Sequence, residues 1–150
     1  MGKIGLYSEG KPKVIVIDGV DGVGKTTLRV ALSRLEGSIN IIERYTPSIY
    51  AYGKLEDREI DLKYLHDIEE RITKLFKVYP FLLTCRVERL YERYLKNRHA
   101  VKLSLADLIY LQREMTFYVN NLSKLSWIKL DVSFSSPQEV VEEVVKWVST

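Results

Sequence analysis

The chain has 150 residues, of which 46% are hydrophobic and 29% are charged. These proportions are ordinary for a globular protein and exclude the disordered and fibrous classes, while the length predicts a single domain over residues 1–150. A formal net charge of +3 suits a local phosphate site, but it is too small to indicate nucleic-acid binding, which we do not expect.

Cysteine content and hydropathy bear on location. The chain has one cysteine, Cys85, and therefore no internal disulfide, so a reducing cytoplasm is the expected location. No stretch approaches the roughly 18 to 20 apolar residues of a membrane helix, and the charged, glycine-containing segment 1–13 predicts no signal peptide. We therefore expect no membrane partner.

Apolar runs and helical periodicity divide the chain into alternating elements, after twelve residues in which glycines and a proline interrupt any pattern. In chain order the predicted elements are a strand at 13–17, a helix at 25–36, a strand at 39–42, a helix at 62–78, a strand at 81–85, helices at 87–97 and 105–122, a strand at 127–131 and a helix from Ser136. Residues 43–61 are predicted to be a loop, and Tyr79-Pro80 is expected to end the preceding helix. This alternation predicts an α/β layer fold with a mainly parallel sheet.

Residues 19–26, GVDGVGKT, match the phosphate-loop pattern G-x-x-x-x-G-K-[ST] in full. Glycines allow several backbone N–H groups to face one anion, and the helix that follows adds the positive end of its dipole. Lys25 would bind the β- and γ-phosphates, and the Thr26 hydroxyl would bind Mg²⁺. The residues expected to bind ATP are Gly19, Gly22, Val23, Gly24, Lys25, Thr26 and Thr27. A chance glycine turn is the alternative, but the buried strand before it and the helix after it favour the phosphate site.

Glu43 and Arg44 end the second predicted strand. A carboxylate there can hold Mg²⁺ through water or accept a proton, and an arginine can bind a phosphate through two parallel hydrogen bonds. A surface ion pair is the alternative interpretation. Because ligands collect at the carboxyl ends of parallel strands, the nearby phosphate loop favours a functional role for both residues.

Basic residues cluster in the third quarter of the chain, at Arg86, Arg89, Arg93, Lys96, Arg98 and Lys102. A mobile basic lid would stabilise the charge of a transferring phosphoryl group, and Arg93 and Arg98 are the strongest candidates for that catalytic role. A solvated helix face, with Glu88 and Glu92 offering ion pairs at helical spacing, is an equally good interpretation.

Two segments of this sequence resemble the thymidylate kinase family of P-loop nucleoside monophosphate kinases. Residues 16–27, VIDGVDGVGKTT, are similar to the opening of the family, and residues 43–53, ERYTPSIYAYG, are similar to its D-R-Y-x-x-S-x-x-A-Y stretch. Weaker similarities at 80–93 and 128–145 extend the resemblance over most of the chain from Lys13 onward. It implies a three-layer P-loop kinase fold with a small sheet of about four strands flanked by helices.

The resemblance also implies an acceptor site. Asp21 would contact the sugar 3′-hydroxyl of a nucleoside monophosphate, Arg44 would bind its phosphate, and Tyr52 would line the sugar pocket and disfavour a 2′-hydroxyl. Ser48, from the same stretch, is included among the acceptor residues, and Glu43 stands where the family has an aspartate near Mg²⁺. The implied reaction converts dTMP and ATP to dTDP and ADP, as in nucleotide biosynthesis, with Mg²⁺ as cofactor.

One part of the family pattern is missing. After the first predicted helix the chain passes almost directly to Ile39, where the family has a strand, a second acceptor-binding loop and a helix. The Glu43-Arg44 pair also resembles that of deoxynucleoside kinases. Two alternatives therefore stand beside a monophosphate kinase: a nucleotide-binding module without kinase activity, and a deoxynucleoside kinase. The resemblance further implies a homodimer, for which the long helix from Leu105 could form the interface.

Overall fold

The computed structural model, which describes residues 4–96 and 102–149, alternates strands with helices as the sequence predicts. Within those residues the strands are β1 (Tyr7–Ser8), β2 (Lys11–Asp18), β3 (Asn40–Glu43), β4 (Lys77–Thr84) and β5 (Ile128–Asp131). The helices are α1 (Lys25–Leu35), α2 (Thr46–Leu55), α3 (Leu62–Leu75), α4 (Val87–Leu95), α5 (Leu105–Asn121) and α6 (Pro137–Val148). None of these helices is both long enough and apolar enough to cross a bilayer.

A parallel sheet in the order β3–β2–β4–β5 forms the centre of the fold, and the short β1 pairs antiparallel with the first residues of β2. The predicted mainly parallel sheet is thus confirmed, with β1 as a fifth strand. Because parallel strands share one direction, the carboxyl ends of β2, β3, β4 and β5 meet at the same edge. That edge carries the phosphate-loop pattern and the Glu43-Arg44 pair.

Helices cover both faces of the sheet. Val14 of β2 shares a buried cluster with Ile72 of α3. Ile15, which points to the opposite face because strand side chains alternate, shares a second cluster with Leu32 of α1 and Val144 of α6. The fold therefore has three layers, and strand β2 is buried on both sides, as its continuous apolar run predicts.

The prediction of a loop over residues 43–61 is wrong, because Thr46–Leu55 forms α2. Its tyrosines, glycine and proline are weak helix formers, but Pro47 lies in the first turn, where no N–H is needed. Tyr50 and Ala51 are buried, and the Tyr50 ring packs against Tyr118 of α5, with 5.2 Å between ring centroids. Tertiary packing thus overrides the weak local preference.

Two predicted strand boundaries also change. Strand β4 begins at Lys77 rather than at Phe81, so Tyr79-Pro80 lies inside the strand and does not interrupt it. The proline is tolerated because β5 pairs with β4 only from Phe81 onward, so the strand has no β5 neighbour at that point. In the first twelve residues, Glu9 and Gly10 both have positive φ angles and join β1 to β2 as a hairpin.

The remaining helices lie close to their predicted positions. The predicted N-cap pair is confirmed at the start of α5, where Ser104 and Asp107 form a complete capping box. Ser136 and Glu139 form a second capping box at the start of α6. Helix α3 ends three residues before the predicted boundary, because the chain turns into β4 there.

A fully buried carboxylate, Glu69, joins three helices. It accepts hydrogen bonds from the hydroxyls of Thr46, Tyr118 and Ser123 at 2.6, 2.8 and 2.8 Å, and from the backbone N–H of Lys124 at 2.8 Å. These donors belong to the start of α2, to α5 and to the turn that follows α5. Glu69 therefore compensates its own burial while holding α2 in place.

We expect Glu69→Gln to lower the free energy of unfolding by about 2 kcal/mol, because the neutral amide has one accepting oxygen instead of two and no longer offers its four donors a charged acceptor. Urea denaturation measures this change. Glu70→Gln is the matched control, because Glu70 is exposed and pairs with the Lys124 ammonium at 3.1 Å, so its loss should cost less than about 0.5 kcal/mol. Equal losses in the two variants would contradict the role given to Glu69.

Candidate functional site

The phosphate loop, residues 19–24, joins β2 to α1 in a space that leaves little room for a side chain at two of its glycines. A Cβ at Gly19 would lie 2.7 Å from the carbonyl oxygen of Leu83 in β4. A Cβ at Gly22, where φ is +89°, would lie 3.0 Å from the backbone of Tyr94 in α4. The glycines thus let the loop curl tightly between the end of β4 and α4.

Lys25 begins α1 and lies inside the loop with only 6% of its surface exposed. Its ammonium donates hydrogen bonds to the carbonyl oxygens of Gly19 and, at 3.2 Å, of Val20. Burial lowers the pKa of Lys25, and the nearby Asp18 carboxylate opposes that shift. The predicted phosphate-binding lysine is therefore held at the centre of the loop by two neutral carbonyls, with the Asp21 carboxylate 4.0 Å from its ammonium.

Thr26 and Glu43 meet at the junction of α1 and β3, as their assignment to one metal site requires. The Thr26 hydroxyl donates to Glu43 Oε1 at 2.9 Å, and the second carboxylate oxygen accepts from Arg29 Nε at 2.5 Å. A hydroxyl and a carboxylate are the hard oxygen ligands that suit Mg²⁺, so these residues fit the predicted ion. Arg29 partly neutralises the carboxylate and orients it toward the loop.

Arg44, Asp21 and Tyr52 come together on the other side of the loop. The Arg44 guanidinium donates to Asp21 Oδ1 at 2.6 Å, which ties the end of β3 to the phosphate loop. The Tyr52 hydroxyl, from α2, is buried beside both groups but forms no hydrogen bond of normal geometry with any described residue. Burial, reinforced by the Asp21 carboxylate, raises the pKa of Tyr52. The cluster thus presents a cation, an anion and an unsatisfied hydroxyl.

Two predicted site residues make contacts that the sequence did not predict, and a third lies outside the described residues. The Ser48 side chain is buried, and its hydroxyl donates to Asp18. Arg93 lines the cleft above the loop and donates to the Val132 carbonyl at 2.9 Å, at the end of β5. Arg98 lies outside the described residues. The catalytic roles of Arg93 and Arg98 and the substrate role of Ser48 stay predictions.

A cleft of about 730 Å³ opens above the carboxyl ends of the strands. It is lined by the phosphate loop, by Glu43 and Arg44, by Arg93 and Lys96 of α4, and by residues around the β5–α6 connection. Basic side chains thus face the loop from two directions, which suits a polyphosphate. A second cleft, of about 840 Å³, lies along β5 and α6 and contains no phosphate-loop residue.

Sequence reasoning missed two residues of the site. Arg29 lies four residues after Lys25 on α1, and only the fold shows that it faces the end of β3. Asp18 is fully buried at the end of β2 and accepts hydrogen bonds from both the loop and α2. The available signal for Asp18 was its place directly after the apolar run of β2, which predicts burial. A buried carboxylate needs hydrogen-bond donors, so such a residue is expected to bind nearby backbone.

No protein-family model and no curated protein sequence matches the chain. Solved structures do match. The YorR protein from Bacillus subtilis, solved in complex with phosphorylated GDP, is similar with a TM-score of 0.69 and 19% identity, over 90% of this chain and 95% of that one. Thymidylate kinase from Candida albicans is similar with a TM-score of 0.56 and 15% identity, over 92% and 91%.

A third similar structure is deoxyadenosine kinase from M. mycoides, with a TM-score of 0.54, 13% identity, and coverage of 90% of this chain and 95% of that one. At these identities the likeness shows the fold. The chain has the P-loop nucleoside and nucleotide kinase fold, which confirms the fold that the motifs imply.

We expect Gly22→Ala to destabilise the protein by about 1–3 kcal/mol, because the new methyl group meets the Tyr94 backbone and the positive φ disfavours alanine. ATP affinity should also fall, because the phosphate loop must shift to accommodate the methyl group. Thermal unfolding and ATP titration measure the two effects.

Gly37→Ala is the matched control, because a Cβ there meets only the Ser33 carbonyl oxygen at 3.8 Å and φ is not positive. We expect this control to change stability by less than about 0.5 kcal/mol. If Gly22→Ala behaved like Gly37→Ala, the tight fit of the loop against α4 would be wrong.

Proposed function

We propose that the protein transfers the γ-phosphoryl group of ATP to a nucleoside monophosphate, with dTMP as the expected acceptor. The observation that carries the proposal is the 2.6 Å contact between Arg44 and Asp21, which brings the arginine that we propose for the acceptor phosphate directly beside the phosphate loop. A donor on the loop and an acceptor phosphate on Arg44 would then share one cleft.

The donor half would use the loop and the start of α1. Phosphate oxygens would accept from the loop N–H groups at the positive end of the helix dipole. The Lys25 ammonium now binds the neutral carbonyls of Gly19 and Val20, and an anionic phosphate is a stronger acceptor for the same group. Thr26 and Glu43 would hold Mg²⁺, which neutralises charge on the transferring group.

The acceptor half would use Arg44, Asp21 and Tyr52. Arg44 would exchange its bond to Asp21 for the acceptor phosphate, which frees that carboxylate to accept from a sugar hydroxyl. The buried Tyr52 hydroxyl, which forms no hydrogen bond of normal geometry, would gain one from the same ligand. These assignments account for each unsatisfied or weakly satisfied group in the cluster.

The chemistry requires positioning and charge neutralisation. An acceptor phosphate oxygen forms a bond to the γ-phosphorus while the bond to the β,γ-bridging oxygen breaks, and ADP leaves. The acceptor phosphate is already ionised, so the step needs no general base. Arg93, which also lines the cleft, would contribute positive charge near the transferring group.

The orientation of Glu43 favours a monophosphate over a nucleoside acceptor. A nucleoside hydroxyl would have to give up a proton, but both oxygens of Glu43 face Thr26 and Arg29 rather than the Arg44 cluster. These contacts say less about which base the acceptor carries. Only residues 36–39 separate α1 from β3, and β3 is a sheet edge, so the second acceptor-binding loop of the thymidylate kinases has no counterpart there. The homodimer implied by the resemblance stays a prediction.

A panel of acceptors tests the reaction class. We expect ADP release from ATP and Mg²⁺ with deoxynucleoside monophosphates, dTMP first, and none above the water blank with deoxynucleosides. If only deoxynucleosides were phosphorylated, the proposal would be wrong and the protein would be a deoxynucleoside kinase. Tight ATP binding without turnover on any acceptor would support the binding module instead.

Lys25→Ala should lower turnover by at least about 100-fold, because it removes the charge that stabilises the transferring phosphoryl group. Lys74→Ala, on the exposed face of α3, is the charge-matched control and should change turnover by less than about twofold. Unchanged activity of Lys25→Ala would defeat the assignment of the phosphate loop.

Arg44→Ala should raise the KM for the acceptor by roughly thirtyfold, which corresponds to about 2 kcal/mol for hydrogen bonds to a charged group, and should leave the KM for ATP nearly unchanged. Arg58→Ala is the control, since Arg58 is exposed and pairs with Glu56 at 3.0 Å. If only the KM for ATP rose, the acceptor-phosphate role of Arg44 would be wrong.

A further inference from the structure

Asp18 is the last residue of β2, and its side chain is 0% exposed. One carboxylate oxygen accepts from the Gly19 N–H at 2.9 Å and from the Ser48 hydroxyl. The other accepts from the N–H groups of Tyr45 at 3.1 Å and Ser48 at 2.8 Å. One buried group is thus shared between the first residue of the phosphate loop and the start of α2.

For α2, Asp18 supplies what its own N-cap residue does not. Tyr45 is the N-cap and has no side-chain oxygen near the first turn, and Pro47 has no N–H to satisfy. A carboxyl group from β2 accepts from the Tyr45 and Ser48 N–H groups instead, at the positive end of the helix dipole. Helix α2 therefore begins where Asp18 fixes it.

Arg44 lies between these anchors. Its own N–H donates to the Ile17 carbonyl at 2.9 Å, and the next N–H along the chain, that of Tyr45, is bound by Asp18. Between them Arg44 has a φ of +67°, a left-handed conformation that residues other than glycine rarely adopt. The kink directs its guanidinium back toward Asp21.

We propose that Asp18 is a positioning residue that fixes Arg44 relative to the phosphate loop, so that the acceptor-phosphate site and the donor loop are assembled by one carboxylate. This inference rests on the proposed acceptor role of Arg44. It also gives Ser48 a different task from the predicted substrate contact, because the Ser48 hydroxyl acts through Asp18.

An amide cannot replace this carboxylate. The oxygen facing Tyr45 and Ser48 receives two backbone N–H groups, and the other oxygen receives the N–H of Gly19. The NH₂ group of Asp18→Asn would therefore face a backbone donor in either orientation. Ser48→Ala is the milder change, since it removes only the hydroxyl donor and leaves the three backbone donors in place.

The experiment compares Asp18→Asn, Ser48→Ala and the double variant with Tyr118→Phe. The last removes a hydrogen bond to Glu69 in the same helix-packing region without touching Asp18. The readouts are amide hydrogen exchange in the protein without ligands, and the separate KM values for dTMP and ATP. Exchange is measured at Gly19, Tyr45 and Ser48.

We expect Asp18→Asn to speed exchange of the Tyr45 and Ser48 amides at least about tenfold and to raise the KM for dTMP by about tenfold or more. Ser48→Ala should raise the KM for dTMP roughly fivefold and leave the KM for ATP within about twofold. Because Ser48 acts through Asp18, the double variant should be no worse than Asp18→Asn alone. Tyr118→Phe should speed exchange of the three amides by no more than its loss of global stability accounts for, and should leave both KM values close to those of the unchanged protein.

Unaltered exchange at Tyr45 and Ser48 in Asp18→Asn would overturn the proposal, as would faster exchange with an unchanged KM for dTMP. If the increases in the KM for dTMP of the two single variants multiplied in the double variant, Ser48 would contact the acceptor directly, and its role through Asp18 would be wrong. If the unchanged protein turns over no acceptor, the proposed function fails separately. Amide exchange and the chemical shifts of Arg44 then decide the structural part: if both are unchanged in Asp18→Asn, Asp18 does not fix the segment 44–48.

Discussion

The burial of the carboxyl end of β2 is the constraint on which the site depends. Strand β2 lies between β3 and β4, so the chain that leaves it has little space. It turns at Gly19, where any side chain would contact the Leu83 carbonyl. The last two residues of the strand, Ile17 and Asp18, then bind the backbone that follows β3. The phosphate loop and the segment that carries Arg44 are thus placed from one rigid strand end rather than from flexible connections.

Charged side chains around the phosphate loop compensate one another. Asp21 pairs with Arg44, Glu43 pairs with Arg29, and Lys25 donates to backbone carbonyls. Each contact satisfies a group that would otherwise be costly to desolvate, and several are ones that an anionic ligand or a cation would replace. Under the proposed function, binding of phosphate and Mg²⁺ would exchange these partners rather than build new positions, which is what preorganisation means for such a site.

Local signals predicted the fold where a single residue pattern dominates. The apolar run before Gly19, the phosphate-loop spacing and the capping box at Ser104 each act over a few residues, so the sequence predicted them correctly. Helix α2 and the start of β4 were not predictable in this way. Pro80 is tolerated because the pairing of β4 with β5 starts at the next residue, Phe81. Helix α2 is stable because α5 and Asp18 contact it.

The sequence by itself determined the α/β class, the phosphate loop and the residue types that could serve a donor and an acceptor. The tertiary structure decided which of them meet: Thr26 with Glu43, Arg44 with Asp21, and Ser48 with Asp18. The physical reason is that a loop motif needs only neighbouring residues, whereas these pairs are 17 to 30 positions apart in the chain. Only the register of parallel strands, set by packing over the whole sheet, brings their side chains to one edge.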